Sequence, residues 1–264
     1  MFSKIREWRR QRTAREYRVG DDLWAAVEAQ LPFLAFLPED DRPRLRGMAL
    51  EFLADKEMSG AHGFVLTDRI RLGIALQACL PVLNLGLDWY RGWVGIVVYP
   101  GDFVIPREIV DEAGVVHAYD DHVVGEAWEG GPVLISWFER QEDADGMNVV
   151  IHEFAHKLDM LAGAVDGVPP LHEGMSRRAW IEAFRRGYRD FCEHVDRGEQ
   201  TWLDPYAAES PSEFFAVAAE AFFETPLWLK ADLPEVYEQF RLFMRQDPAE
   251  GALRAGVQPP EETG

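Results

Sequence analysis

His152, Glu153 and His156 lie in the run Val149-Val150-Ile151-His152-Glu153-Phe154-Ala155-His156-Lys157-Leu158-Asp159. An α-helix advances so that residues four apart sit one turn above each other, about 40° apart in angle. Two imidazoles placed in this way can share one tetrahedral zinc ion. Glu153, next to the first histidine, is then placed to act as general base on a zinc-bound water. Random placement at this composition gives about 0.02 such matches per chain, so the motif is informative without being decisive. The bland alternative is a surface helix with two incidental histidines. The flanks argue against it: Val149, Val150, Ile151, Phe154, Ala155, Leu158, Met160 and Leu161 make the helix apolar nearly all round, and such a helix is buried. Histidines and a glutamate in that setting are costly unless paired or bound to metal.

A catalytic zinc takes three protein ligands and leaves one position to water. The best downstream source is Tyr206 to Glu224, an apolar stretch with Ser210 as N-cap and Pro211 in the first turn. Glu213 and Glu220, seven residues apart, share a face there. Glu213 has a specific alternative, because Ser210-x-x-Glu213 is a capping box in which the glutamate only satisfies a backbone amide. Glu220 is either the competing ligand or a carboxylate that accepts an imidazole N–H from behind. Glu224, one turn further, is expected to reach solvent. Tyr206 is either a core tyrosine or a donor to the oxyanion of a tetrahedral intermediate. Read from the residues alone, His117, His122, His62, His172 and His194 are surface or satisfied histidines.

The surrounding elements follow from periodicity. Asp21–Leu37 and Arg44–Met58 read as packing helices, and Thr67 caps a third that Pro81 stops. Strand candidates are Trp93–Tyr99, Phe103–Ile105, His122–Trp128 and Val133–Trp137. The last is the expected sheet edge on which an extended peptide could add beside the metal. The metal helix is expected to run from Asp145 or Gly146 to Gly163. Ser176 caps a long helix stopped by Gly198, and a last helix spans Pro234 to Arg245. The fold class is α+β, with a small mixed sheet packed on the metal helix and further helices around it. Residues 1–19 form a basic segment, 20–250 a single domain and 251–264 a flexible tail.

The formal net charge is −19, which argues against nucleic acid or an anionic membrane as partner. Residues 1–18 run the other way, with seven cations against Glu7 and Glu16, a local +5 that leaves −24 on the remainder. This is read as a solvated tail, with a basic arm for an acidic partner as the minor reading. No apolar stretch approaches a membrane span, and no secretory signal follows the arginines. The two cysteines, Cys79 and Cys192, lack metal spacing and are expected as free, buried thiols in a reducing cytoplasm.

Several segments in order resemble the Mlc titration factor A family of zinc peptidases: Leu66-Thr67-Asp68 to Leu83, Leu87-Asp88-Trp89-Tyr90, Gly125-Glu126-Ala127-Trp128, Ile151 to Asp159, and Tyr206 through Glu213 to Phe223. The resemblance spans roughly residues 20 to 250 and implies a zincin-like core similar to the lethal-factor type of gluzincin. It implies that the two motif histidines and Glu213, seven residues after Tyr206, bind Zn2+, and that Tyr206 acts on the transition state. Gly114-Val115-Val116-His117 matches a further family feature, which implies His117 as an additional metal contact. The resemblance also implies aminopeptidase-type hydrolysis of peptides and binding to the repressor Mlc, which relieves repression of glucose-phosphotransferase genes. The Arg-rich N-terminus departs from the family pattern.

Two functional hypotheses result. In the first the chain hydrolyses peptides, with Asp159 or Glu220 orienting the imidazoles. In the second it is a non-enzymatic or latent zinc protein that titrates a partner, and a closed site including His117 would suit that role. For an aminopeptidase, Glu220, Asp159 and Glu126 are the acidic candidates to receive the substrate's amino terminus.

Overall fold

The computed structural model describes residues 19–101, 103–110, 116–123, 125–137 and 148–259, with the backbone alone for 103–110 and 116–123. The basic segment 1–18 and the end of the tail, 260–264, lie outside the described residues. Helix α1 (Asp21–Glu28) is shorter than its apolar spacing suggests. Pro32 disfavours helix at the residue before it, and the chain continues as a 3-10 turn over Pro32–Phe36. Helix α2 (Asp41–Asp55) ends at Lys56. Met58, expected in that helix, instead lies in strand β1 (Glu57–Gly60), opposite Ile96. Helix α3 (Asp68–Cys79) begins as the sequence predicts, with the Thr67 hydroxyl accepting the Ile70 amide at 3.3 Å.

Five further strands follow in chain order. They are β2 (Gly95–Tyr99), β3 (Phe103–Val110), β4 (Val116–Val123), β5 (Gly125–Ala127) and β6 (Val133–Ser136). Strands β3 and β4 form an antiparallel ribbon with Phe103 opposite Val123. The other four make a mixed sheet ordered β1-β2-β6-β5. Here β1, β2 and β6 run parallel, and β5 is antiparallel to β6. The expected edge, Val133–Trp137, is therefore wrong: β6 is bonded on both sides. The edge on that side is β5, three residues long, too short to display a strand period.

The remaining helices are α4 (Val149–Asp159), α5 (Arg177–Asp196), α6 (Pro211–Glu224), α7 (Pro226–Asp232), α8 (Pro234–Met244) and α9 (Pro248–Arg254). Helix α8 matches its expected span but is not the last, because α9 occupies the start of the segment read as a tail. Helix α4 starts at Val149, capped by Asn148, whose side chain accepts the Ile151 amide at 2.9 Å. The expected start at Asp145 or Gly146 lies outside the described residues. A 3-10 turn, Met160–Ala162, then leads to Gly163, whose φ of 87° ends the helix as expected.

All eleven residues of α4 are buried. It packs on β5 and β6 on one side and on α6 on another. Phe154 points away from the histidines into Phe52, Tyr90 and Trp93, at ring centroid distances of 5.7, 5.1 and 5.7 Å. Behind α6, Phe215 joins Trp180, Phe184 and Phe240 in a second aromatic group. Full burial of a phenylalanine is worth about 1.5–3 kcal/mol. These two groups fix the rotation of α4 and α6, and hence the direction of their polar side chains.

Candidate metal centre

Helices α4 and α6 bring three ligand atoms together. Nε2 of His152 and Nε2 of His156 are 3.1 Å apart. Glu213 Oε2 is 3.0 Å from the first and 3.2 Å from the second. A tetrahedral ion with bonds of 2.0–2.1 Å separates its ligand atoms by about 3.3 Å, so the triangle has the size of such a site. Among the described residues these three form the only group of histidine, cysteine and carboxylate ligands able to hold a metal ion.

The outer atoms of both rings are also fixed. Glu220 Oε1 meets Nδ1 of His152 at 2.7 Å. Ser212 Oγ meets Nδ1 of His156 at 3.1 Å and donates to Asp159 Oδ2 at 3.0 Å. With these partners each Nδ1 carries the proton and each Nε2 presents a lone pair to the centre. Two lone pairs and a carboxylate converging at 3 Å call for a cation between them, and two imidazoles with one carboxylate form a zinc-type donor set.

The alternatives for the carboxylates resolve geometrically. Ser210 does cap α6, its hydroxyl accepting the Glu213 amide at 3.1 Å, while the Glu213 carboxylate turns to the histidines. Glu220 stands behind His152, and its Oε2 accepts the Asn148 amide at 2.6 Å. Glu224 is not simply solvated, since it accepts from Asn148 Nδ2 at 2.7 Å. Asp159 is fully buried, and its Oδ2 also accepts the Gly167 amide at 2.9 Å.

A cleft of about 340 Å³ opens on this centre. Glu153 and Tyr206 line it, together with Gly125 and Glu126 of β5 and Met160 and Val165 beyond α4. Tyr206 is no core tyrosine: it is 45% exposed, with its ring 6.1 Å from that of His152. Glu153 Oε2 is buried with no hydrogen-bond partner among the described residues. Burial raises the Glu153 carboxyl to about 7, although His152 and His156 pull it down. Burial also works against ionised Glu213, but its hydrogen bonds to His152 and His156 prevail and bring it to about 2. For His152, burial opposes the charged form, yet Glu213 and Glu220 raise its pKa well above the ordinary value. These directions hold with protons as the only cations at the centre; a divalent ion would favour the ionised carboxylates and the neutral imidazoles.

The sequence did not single out Ser212, Asn148 or Gly125. Gly125 matters because a Cβ there would stand 2.3 Å from Glu153 Oε1. His117 lies in β4 opposite Ile109; its side chain, like that of His122, is outside the described residues.

An α+β chain with an HExxH helix and a converging downstream glutamate is consistent with a metallopeptidase family. The chain belongs to the family of glucose-regulated metallo-peptidase M90, whose model matches residues 5–245. It is 35% identical over 243 residues to Mlc titration factor A of Yersinia pestis (strain Pestoides F), covering 88% of this chain and 90% of that protein. The same figures hold for Mlc titration factor A of Yersinia pseudotuberculosis serotype O:1b (strain IP 31758). No helix among the described residues is long and apolar enough to cross a membrane.

Proposed function

We propose that the protein is a zincin-like, zinc-dependent peptidase of aminopeptidase type. The observation that carries this reading is the meeting of His152, His156 and Glu213 at 3.0–3.2 Å in a cleft that Glu153 also lines. His152, His156 and Glu213 would hold a zinc ion, which would supply Lewis acidity to a water and a substrate carbonyl. The Glu153 carboxylate takes the proton of the attacking water and returns it to the leaving amine. The Tyr206 hydroxyl donates to the oxyanion. Glu220 and the Ser212–Asp159 pair hold the imidazoles in place. Strand β5, the edge nearest the cleft, offers backbone groups to an extended peptide.

Of the three carboxylates considered for the amino terminus, Glu220 and Asp159 are committed behind the histidines. Glu126 lines the cleft, and we assign the amino terminus to it. The test is hydrolysis of free and N-blocked peptide chromogens by zinc-loaded wild type and Glu153→Gln. Activity that requires a free amino terminus and falls about 100- to 10,000-fold in the variant, with zinc retained, supports the reading. Equal rates in both proteins would overturn it.

The name of the relatives supports a second role, binding of a Mlc-like repressor. A latent or purely regulatory zinc protein needs no general base. Unchanged repressor binding by Glu153→Gln would separate that role from hydrolysis. The free thiols of Cys79, buried as expected, and Cys192, which is only half-buried, suit a cytoplasmic setting for both roles.

A further inference from the structure

Lys157 follows the second histidine of α4 and is only 3% exposed. A buried ammonium is costly unless it is paired or well hydrogen-bonded. Among the described residues it forms no ion pair. Its Nζ instead donates to two backbone carbonyls, Trp128 O at 2.5 Å and Gly131 O at 2.9 Å, and lies 4.9 Å from the centre of the Trp93 indole. Residues 128–131 are the turn that joins β5 to β6, with Gly130 at φ 62°. The turn closes on itself through Trp128 N to Pro132 O and Gly131 N to Trp128 O. Strand β5, on its other end, touches the Glu153 carboxylate at Gly125, where not even a methyl group fits.

One helix therefore holds both ends of the three-residue edge, Glu153 against its start and Lys157 beneath the turn that follows. We propose that Lys157 is a positioning residue that clamps the β5–β6 turn to α4 and so sets the distance between the substrate edge and Glu153. The role of the edge rests on the peptidase reading above; the clamp itself does not.

Lys157→Met keeps the apolar stem and removes the donors, and Lys157→Arg keeps charge and reach. Both would be made in the full chain and loaded with zinc. Hydrogen exchange at the Trp128 and Gly131 amides is expected to quicken at least tenfold in Lys157→Met, with α4 protection and zinc stoichiometry unchanged, and to return towards wild type in Lys157→Arg. On peptide substrates, kcat should fall about tenfold or more in Lys157→Met and recover towards wild type in Lys157→Arg. Unchanged exchange at the turn would overturn the clamp, as would loss of protection spread through α4. If wild type cleaves no peptide, the peptidase reading fails while the exchange result still decides the clamp. Should Lys157→Met not fold, Lys157→Gln, which can reach one carbonyl at most, is expected to give a partial loss of turn protection; wild-type protection there would also overturn the proposal.

Discussion

Glu220 Oε1 lies 2.7 Å from Nδ1 of His152, on the side of the ring away from Glu213. The two glutamates of α6 thus address opposite nitrogens of one imidazole. Their substitutions should differ in kind. Glu213→Ala removes a ligand atom and should abolish stoichiometric zinc at micromolar concentrations. Glu220→Gln leaves the ligand set intact and should weaken zinc about 10- to 100-fold. Competition with a chromogenic chelator gives both numbers. The reverse order would exchange the two roles.

His156 is supported through a hydroxyl rather than directly. Ser212→Ala leaves its Nδ1–H and the Asp159 carboxylate without their shared partner. We expect zinc affinity to fall about tenfold and the chelator-treated protein to lose about 1–3 kcal/mol of stability. Calorimetric titration and urea unfolding measure the two effects. Wild-type values in both would remove Ser212 from the site.

Gly125→Ala places a methyl group on the Glu153 carboxylate. The carboxylate or the edge strand must then shift by an ångström or more. A displacement of that size at reacting groups costs about 100-fold in rate. Zinc stoichiometry should not change, because the three atoms nearest the new methyl all belong to Glu153. A fully active Gly125→Ala would show that the Glu153 position is not critical.

Burial places the Glu153 carboxyl at about 7 against an ordinary 4.5. Between these values the folded chain holds a proton that the unfolded chain releases. Stability contributed by this group is therefore greatest at the acid end of that window and falls as pH rises through it. The full effect is roughly 3 kcal/mol. Glu153→Gln removes it, so in chelator-treated protein the variant should gain on wild type as pH goes from 5 to 8. The gain should reach on the order of 5 °C in Tm. A difference independent of pH would mean that this carboxyl ionises normally.

Glu126→Gln tests the amino-terminal assignment. KM for peptides with a free amino terminus should rise about tenfold or more, as loss of a charge-assisted hydrogen bond implies, while N-acetylated peptides stay unaffected. An equal effect on both would assign the amino terminus elsewhere.

The central trio was legible because helical spacing and a capped second helix are local features. His152 and His156 are related by one turn, and Ser210-Pro211 fixed where α6 begins. What spacing could not decide was which way Glu213 faces, since cap and ligand demand the same position; the rotation of α6, set by Phe215 and its aromatic neighbours, decides it. Ser212 and Asn148 were invisible for a different reason. Each is an ordinary first-turn or capping residue whose partners, Asp159 and Glu220, lie more than fifty positions away. The central place of β6, where an edge was expected, does have a signal in the sequence. Val133-Leu134-Ile135 is an unbroken apolar run, which belongs to a strand with covered faces in the middle of a sheet, whereas three-residue β5 has no period to read.

The triangle of His152, His156 and Glu213 is held by helices whose burial is apolar and by carboxylates and a hydroxyl of the chain itself. The fold around it rests on apolar packing of α4 and α6. Small zinc domains unfold when chelated; this one should stay folded and take its metal back without refolding. Under the zinc-peptidase function proposed above, scarcity of zinc would then silence the protein rather than destroy it, leaving a dormant pool that resumes work as soon as the metal returns.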